Sequence, residues 1–227
     1  MTSQTTTRLF LVRHGATQLS AEDRFAGSVD VELSAEGEFQ ARRLAQRLVD
    51  DHITAVYCSP MNRTVHTASI LAQPHSLPLF QREGLREISH GHWEGMRRPD
   101  VEAQFPEEYA AWEQDPFTFA PEGGEAGVNV IARALPVIRE IVLEHRGENV
   151  LVVSHKATLR LLISSLLGFD ARGYRDRLEQ SPACLSVIDF KDPVRARLML
   201  FNDVSHYIDQ PQRSDGRLSK WWDNQEK

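Results

Sequence analysis

The sequence predicts an α/β protein: a mostly parallel sheet covered by helices on both faces, with an antiparallel strand at one edge. Three observations carry that expectation. Short apolar runs bounded by turn residues recur along the chain, helical patterns lie between most of them, and the last two runs are separated by only "KDPVR". Strands that alternate with helices need crossover connections and so pair in parallel. Two strands joined by a tight polar turn form a hairpin instead.

The elements follow in order. "RLFLV" (8–12) has the length and composition of a core strand. Ser34 is a helix N-cap, with Glu36 and Glu38 in the first turn and Ala41, Leu44, Ala45 and Leu48 along one face. "ITAVYCS" (53–59) is a second strand. "SPMNRTVHTASILA" places Ser59 at an N-cap, Pro60 at the first helical position, and Val65, Ala68 and Ala72 inward. From 90 to 127 the periodicity dissolves into a segment rich in aromatics, Pro and Gly, read as a long loop or cap over a site. Ile131, Ala134, Leu135, Ile138, Ile141 and Val142 then recur at helical spacing, with Pro136 expected to kink the helix. "NVLVVS" (149–154) is a third strand, followed by a helix from about Ala157 that stops at Gly168. "CLSVIDF" (184–190) and "ARLMLF" (196–201) complete the set.

Composition bounds the rest. With 227 residues the chain can fill one core, and 41% hydrophobic with 26% charged residues matches neither a disordered nor a membrane chain. A formal net charge of −6 argues against nucleic acid as a partner. No run approaches the roughly 20 apolar residues of a membrane span, and "MTSQTTTR" lacks the apolar stretch of a secretory signal. Cys58 and Cys184 both lie in apolar runs, where buried free thiols are expected, in keeping with a reducing cytoplasm. Residues 1–7 are expected to be a disordered lead, 8–208 one domain, and 209–227 a polar tail that Trp221 and Trp222 could dock. There is no internal repeat.

Chemistry gathers at the ends of strands, where ligands bind in open parallel sheets. Arg13 and His14 follow the first strand, Arg63 lies in the first turn of the helix after "VYCSP", and His155 directly follows "NVLVVS". Each alone has a plainer reading as a surface or strand-end residue. Together, two arginines and two histidines at one sheet edge describe a phosphate pocket, because a guanidinium offers paired donors and keeps its charge. A neutral imidazole is also a nucleophile at phosphorus. The neighbouring arginines would disfavour the imidazolium of His14, and a bond from its second nitrogen to a backbone carbonyl would fix its tautomer. His14 is therefore the expected nucleophile. His155, able to carry a proton, suits the oxygens of the transition state.

"LVRHGAT", "RFAGSVDVELSAEG", "CSPMNRTVHTA", "LREISHGHWEG" and "VVSHKATLRLL" occur in an order that resembles the histidine phosphatase (phosphoglycerate mutase-like) superfamily, over roughly 8–205. The resemblance implies a three-layer α/β/α sandwich and a phosphohistidine intermediate on His14. It matches Arg13, Arg63 and His155 to phosphate-binding positions, and Glu87 to the general acid that protonates the leaving oxygen and then activates water. It extends the substrate-binding set to Thr17, Ser20, Ala26, Gly27 and Lys156. No cofactor and no metal are implied.

The departures are Ser20, where many members carry asparagine; Lys156, where glycine commonly follows the second histidine; and Ala126, where "EGGEAG" lacks the serine of Gly-Gly-Glu-Ser. "ISHGHWEG" and the chain length resemble the phosphatase branch. The expected activity is hydrolysis of a small phosphorylated metabolite of the sugar phosphate or phosphoglycerate type. Mutase-type phosphoryl transfer and a weakly catalytic phospho-ligand-binding role remain the alternatives. The expected partner is that metabolite, with neither nucleic acid nor membrane, and the sequence leaves a homodimer open. His90 and His92 read as exposed loop histidines rather than metal ligands. His66, Trp93, Trp112 and Phe117 read as packing or lid residues, Arg97 and Arg98 as a solvated pair that could reach the substrate, and Arg133 and Arg160 as surface or salt-bridge arginines.

Overall fold

The computed structural model describes residues 6–18 and 24–208. Ser20 and the C-terminal tail with Trp221 and Trp222 lie outside the described residues. The strands are β1 (Thr7–Arg13), β2 (Ile53–Cys58), β3 (Leu79–Gln81), β4 (Asn149–Ser154), β5 (Leu185–Phe190) and β6 (Ala196–Asp203). They form one sheet in the order β3-β2-β4-β1-β5-β6. β1, β2, β3 and β4 pair in parallel, β5 runs antiparallel to β1, and β6 antiparallel to β5. The expected hairpin is β5–β6. β3, three residues long, carries too little pattern to stand out in the sequence.

The sheet is sandwiched because its strands alternate faces. Leu9, Leu11, Val150, Val152, Ile188 and Phe190 pack against α5 (Gly127–Glu144) and α6 (Lys156–Leu167). Phe10, Val12, Val56, Cys58, Leu151 and Val153 pack on the other face against α1 (Ala35–Arg47) and α2 (Asn62–Ala72). Both cysteines are buried free thiols. Ser34 caps α1 as expected, its Oγ accepting from the Gly37 N–H at 3.1 Å. Gly168 ends α6 in the left-handed conformation. α5 runs unbroken through Pro136.

Two readings are corrected. α2 starts at Asn62 with Met61 at its N-cap, so Ser59 and Pro60 precede the helix. The stretch 90–127 is not a structureless loop. It contains α3 (Arg98–Gln104) and α4 (Pro106–Gln114), and Trp93, Val101, Tyr109 and Trp112 close around Phe25 as a small second core. α7 (Tyr174–Arg177) lies between α6 and β5. No helix among the described residues is long and apolar enough to cross a membrane.

Candidate active site

Parallel pairing puts the ends of β1, β4 and β2 at one edge. Arg13 pairs in register with Ser154, so the residues that follow, His14 and His155, emerge side by side. The His14 N–H donates to Ser154 O at 3.0 Å and the Ser59 N–H to Val153 O at 3.1 Å, carrying the pairing one residue beyond the strands. The two imidazoles meet edge to face with centroids 5.3 Å apart. His14 and His155 are both buried, as are Arg13, Arg63 and Thr17.

Gly15 is required by a close approach of two elements. A Cβ there would lie 2.4 Å from the Gly37 carbonyl oxygen, so the glycine lets the first turn of α1 back onto the loop after β1. Its N–H donates to Thr67 Oγ1 of α2 at 3.2 Å, which fixes the loop from a second side.

The tautomers follow from the partners. Nδ1 of His14 lies 2.8 Å from Gly15 O. A carbonyl only accepts, so Nδ1 carries the hydrogen and Nε2 keeps its lone pair. Burial first, then the Arg63 and Arg13 charges, hold His14 well below its ordinary range. His155 Nδ1 accepts from Arg63 Nε at 3.2 Å, so its hydrogen sits on Nε2, 2.8 Å from Ser59 Oγ. Burial and then Arg63, His14 and Arg13 push His155 well below its ordinary range, which works against the expected proton-carrying state.

Arg63 also clamps the loop that follows the undescribed segment. Its Nη1 donates to Val29 O at 2.7 Å and its Nη2 to Gly27 O at 2.8 Å, with Ala26 O at 3.4 Å. Ala26 and Gly27 thus meet the site through their carbonyls. Gly27 is packed so closely on Ile88 that a Cβ would lie 1.9 Å from its carbonyl oxygen. Arg13 Nη1 donates to Gln180 O at 2.7 Å, while its buried Nε has no hydrogen-bond partner among the described residues.

Glu87 sits at the start of α6, immediately after His155. Its Oε2 accepts from the Ala157 N–H at 3.1 Å, and its Oε1 accepts from the Thr158 N–H at 3.1 Å and its own neighbour Ile88 N–H at 2.9 Å. His155, the N-cap of α6, supplies no side-chain cap, so Glu87 satisfies those donors from across the site. Arg133 holds the Glu87 segment in place: Nη1 donates to the carbonyls of Gly84 and Arg86 at 2.8 and 2.9 Å, and Nη2 reaches Glu87 O at 3.2 Å. Its other donors form a paired bridge to Glu125 at 2.8 Å.

Sequence reasoning missed several of these parts. Ser59 is a partner of His155 and not a helix cap. Glu94, inside the quoted "HGHWEG", accepts from the His90 and Ser28 N–H groups at 2.7 and 3.0 Å and ties two site loops together. Its place in that motif was the available signal. Nothing local marks Arg133 or Gln180, whose partners are distant in sequence. Arg160 is buried, and of its two expected roles it takes the salt bridge, to Glu179 at 3.4 Å. His90 is not an exposed loop histidine, for its ring packs on Phe25 at 4.9 Å, while His92 turns away to Glu108 at 2.8 Å. Arg97 is largely exposed and pairs with Asp100. Trp93 and Trp112 are packing residues.

A neutral histidine with a free ring lone pair, two buried guanidiniums, a second histidine and a carboxylate on a helix N-terminus can bind a phosphoryl group and exchange it. Comparison with known proteins points the same way. The family model of the histidine phosphatase superfamily (branch 1) matches residues 9–204. Phosphoserine phosphatase 1 of Hydrogenobacter thermophilus is 34% identical over 163 residues, covering 72% of this chain and 77% of that protein. The adenosylcobalamin/alpha-ribazole phosphatase of Escherichia coli is 33% identical over 183 residues, covering 80% and 89%. Among solved structures, Bacillus stearothermophilus YhfR superposes with a TM-score of 0.83 at 32% identity, over 88% of this chain and 98% of that one. A mycobacterial glucosyl-3-phosphoglycerate phosphatase gives 0.79 at 28% identity, over 87% and 99%. The chain belongs to the histidine phosphatase superfamily (branch 1) and is a phosphoric monoester hydrolase.

Proposed function

We propose that the chain hydrolyses a small phosphorylated metabolite, of the sugar phosphate or phosphoglycerate type, through a covalent phosphohistidine on His14. The observation that carries this reading is the Nδ1–Gly15 carbonyl bond, which leaves the Nε2 lone pair of a neutral imidazole available. Nε2 attacks phosphorus, the ester P–O bond breaks, and Glu87 passes a proton to the leaving alcohol, which the second step restores. Water then attacks the phosphohistidine, Glu87 takes a proton from it, and the P–N bond breaks to release inorganic phosphate. Arg13, Arg63 and His155 hold the phosphoryl oxygens, and preorganised donors of this kind supply most of the stabilisation in phosphoryl transfer.

Thr17 contributes to the rim of the pocket, Ala26, Gly27 and Lys156 line the approach to it, and Ser20 is assigned to substrate binding by its place in the motif alone. The reaction takes place within a single domain spanning 8–208. The substrates named for similar proteins, phosphoserine, alpha-ribazole and glucosyl-3-phosphoglycerate esters, support a small-metabolite substrate. The two buried free thiols favour a reducing compartment such as the cytoplasm.

The test is inorganic phosphate release from a panel of phosphomonoesters, run beside His14→Ala. The wild type is expected to release phosphate from at least one ester, and the variant to be slower by about 10³-fold or more. Acid quenching during turnover should trap a phosphoryl adduct that is labile to acid and survives alkali. Equal activity of the variant, or exchange of phosphate between substrate positions without net release, overturns the reading.

A further inference from the structure

Lys156 opens α6 directly after His155, and Arg160 follows four residues later on the same face of the helix. Both reach one carboxylate: Lys156 Nζ lies 3.2 Å from Glu179 Oε1 and Arg160 Nη2 lies 3.4 Å from Glu179 Oε2. The cluster is joined to the phosphate pocket through the backbone, since Gln180, the next residue, accepts from Arg13 at 2.7 Å and donates to Glu179 at 2.8 Å. Arg160 is 7% exposed, and its Nε has no hydrogen-bond partner among the described residues. Burial, then Arg160 and Arg13, push Lys156 down to about 7. Glu179 is held down at about 2, with Lys156 and then Arg160 outweighing the opposing effect of burial. Two basic side chains thus share one carboxylate, and with Lys156 protonated the surplus is one positive charge.

The position of this surplus relates to the leaving group. Glu87, proposed to protonate the leaving oxygen, rests on the N–H groups of Ala157 and Thr158, in the same first turn that begins with Lys156. A leaving group that receives its proton there is released at the end of α6 that carries this cluster, whose Arg160 feels the Glu87 charge and whose Lys156 and Arg160 both feel Arg13. A single surplus charge matches a monovalent carboxylate better than a dianionic phosphate.

We propose that Lys156 and Arg160, with Glu179 as their internal counter-ion, form a subsite for a carboxylate on the leaving group. The enzyme then prefers phosphate esters of hydroxy acids to those of uncharged alcohols. The inference rests on the reading of His14 and Glu87 given above.

The test compares kcat/KM of the purified full chain on 3-phosphoglycerate and on glycerol 3-phosphate, which differ by a carboxylate in place of a hydroxymethyl group. The wild type is expected to favour phosphoglycerate by about tenfold or more, the scale of one charge-assisted hydrogen bond. Lys156→Met should lower that ratio by about tenfold, and Glu179→Gln, which removes the competing anion, should raise it. A thermal melt and phosphohistidine trapping on each variant establish that the site is intact. Absence of a preference in the wild type, a ratio unmoved in both variants, or a sugar bisphosphate preferred over phosphoglycerate overturns the carboxylate subsite while leaving the phosphatase reading standing. Hydrolysis of none of these esters or of the wider panel overturns the phosphatase reading itself.

Discussion

At Ser59 and Ala126 the local pattern and the tertiary environment assign different work to a side chain. A Ser-Pro pair before a helical run reads as a cap, yet the Ser59 hydroxyl faces His155 Nε2 at 2.8 Å and α2 begins three residues later. The reverse happens at Ala126. It occupies the N-cap of α5 with extended dihedrals and no side-chain cap, so the missing serine of "EGGEAG" is a missing helix cap. Ala126→Ser is therefore expected to stabilise the fold by about 0.5–1 kcal/mol, the usual worth of such a cap. Urea denaturation checks it, and an unchanged midpoint would show that the first turn already has its donors satisfied. The site histidines divide the same way. Their position after β1 and β4 is visible in "VRHG" and "VVSH", but their protonation depends on Gly15 O and on the Nε of an arginine 92 residues away.

Among the elements, α5 and α6 matter most for the site, because they hold the Glu87 segment between them. α6 offers two N–H groups to the carboxylate, and α5 sends Arg133 to the carbonyls of Gly84, Arg86 and Glu87 itself. Replacing Arg133 with Met removes the guanidinium while keeping much of the apolar stem. The half-buried carbonyls of Gly84 and Arg86 and the Glu125 carboxylate then lose their partner, which costs about 1 kcal/mol of stability, the low end for unpaired polar groups. The positioning consequence is a kcat lowered by about tenfold to a hundredfold with KM nearly unchanged, since proton delivery suffers more than phosphate binding. Steady-state kinetics on one substrate read this directly, and a rise in KM alone contradicts it. The periods of α1, α5 and α6 were legible because each runs three turns or more against the sheet. α3 and α4, at seven and nine residues, are too short to display a period and are held by Phe25 from far upstream.

For the whole molecule, the buried histidines make stability depend on pH. His14, His155 and His90 are lowered, chiefly by burial, and His206 is pushed to about 4 by burial and then Arg47. In the unfolded chain these groups take up protons below about 6.5, whereas in the folded chain they stay neutral, so the unfolded state binds more protons and stability falls as pH falls. Each histidine that remains neutral contributes about 1.4 kcal/mol per pH unit below that point, and His206 ceases to contribute near its folded value. Lys156 has the same sign in a higher window: between its folded value near 7 and its unfolded value near 10.5 the unfolded state is again the more protonated. Above about 9 the buried thiols Cys58 and Cys184, raised to about 11 and 12 by burial, act in the opposite direction. Melting temperature should thus drop from pH 7 toward pH 5, with a shallower slope in His155→Asn, and a flat profile would contradict the neutral-histidine assignment. The sequence by itself determined the alternating strands and the helices between them. It also placed Arg13, His14, Arg63 and His155 at strand ends or first turns, because period and position along an element are local properties. Only the tertiary structure decided which nitrogen of each imidazole is free, that Glu87 rests on α6, and that Glu179 stands between Lys156 and Arg160. Those outcomes depend on contacts between residues far apart in the chain and on the charge and burial that such contacts create.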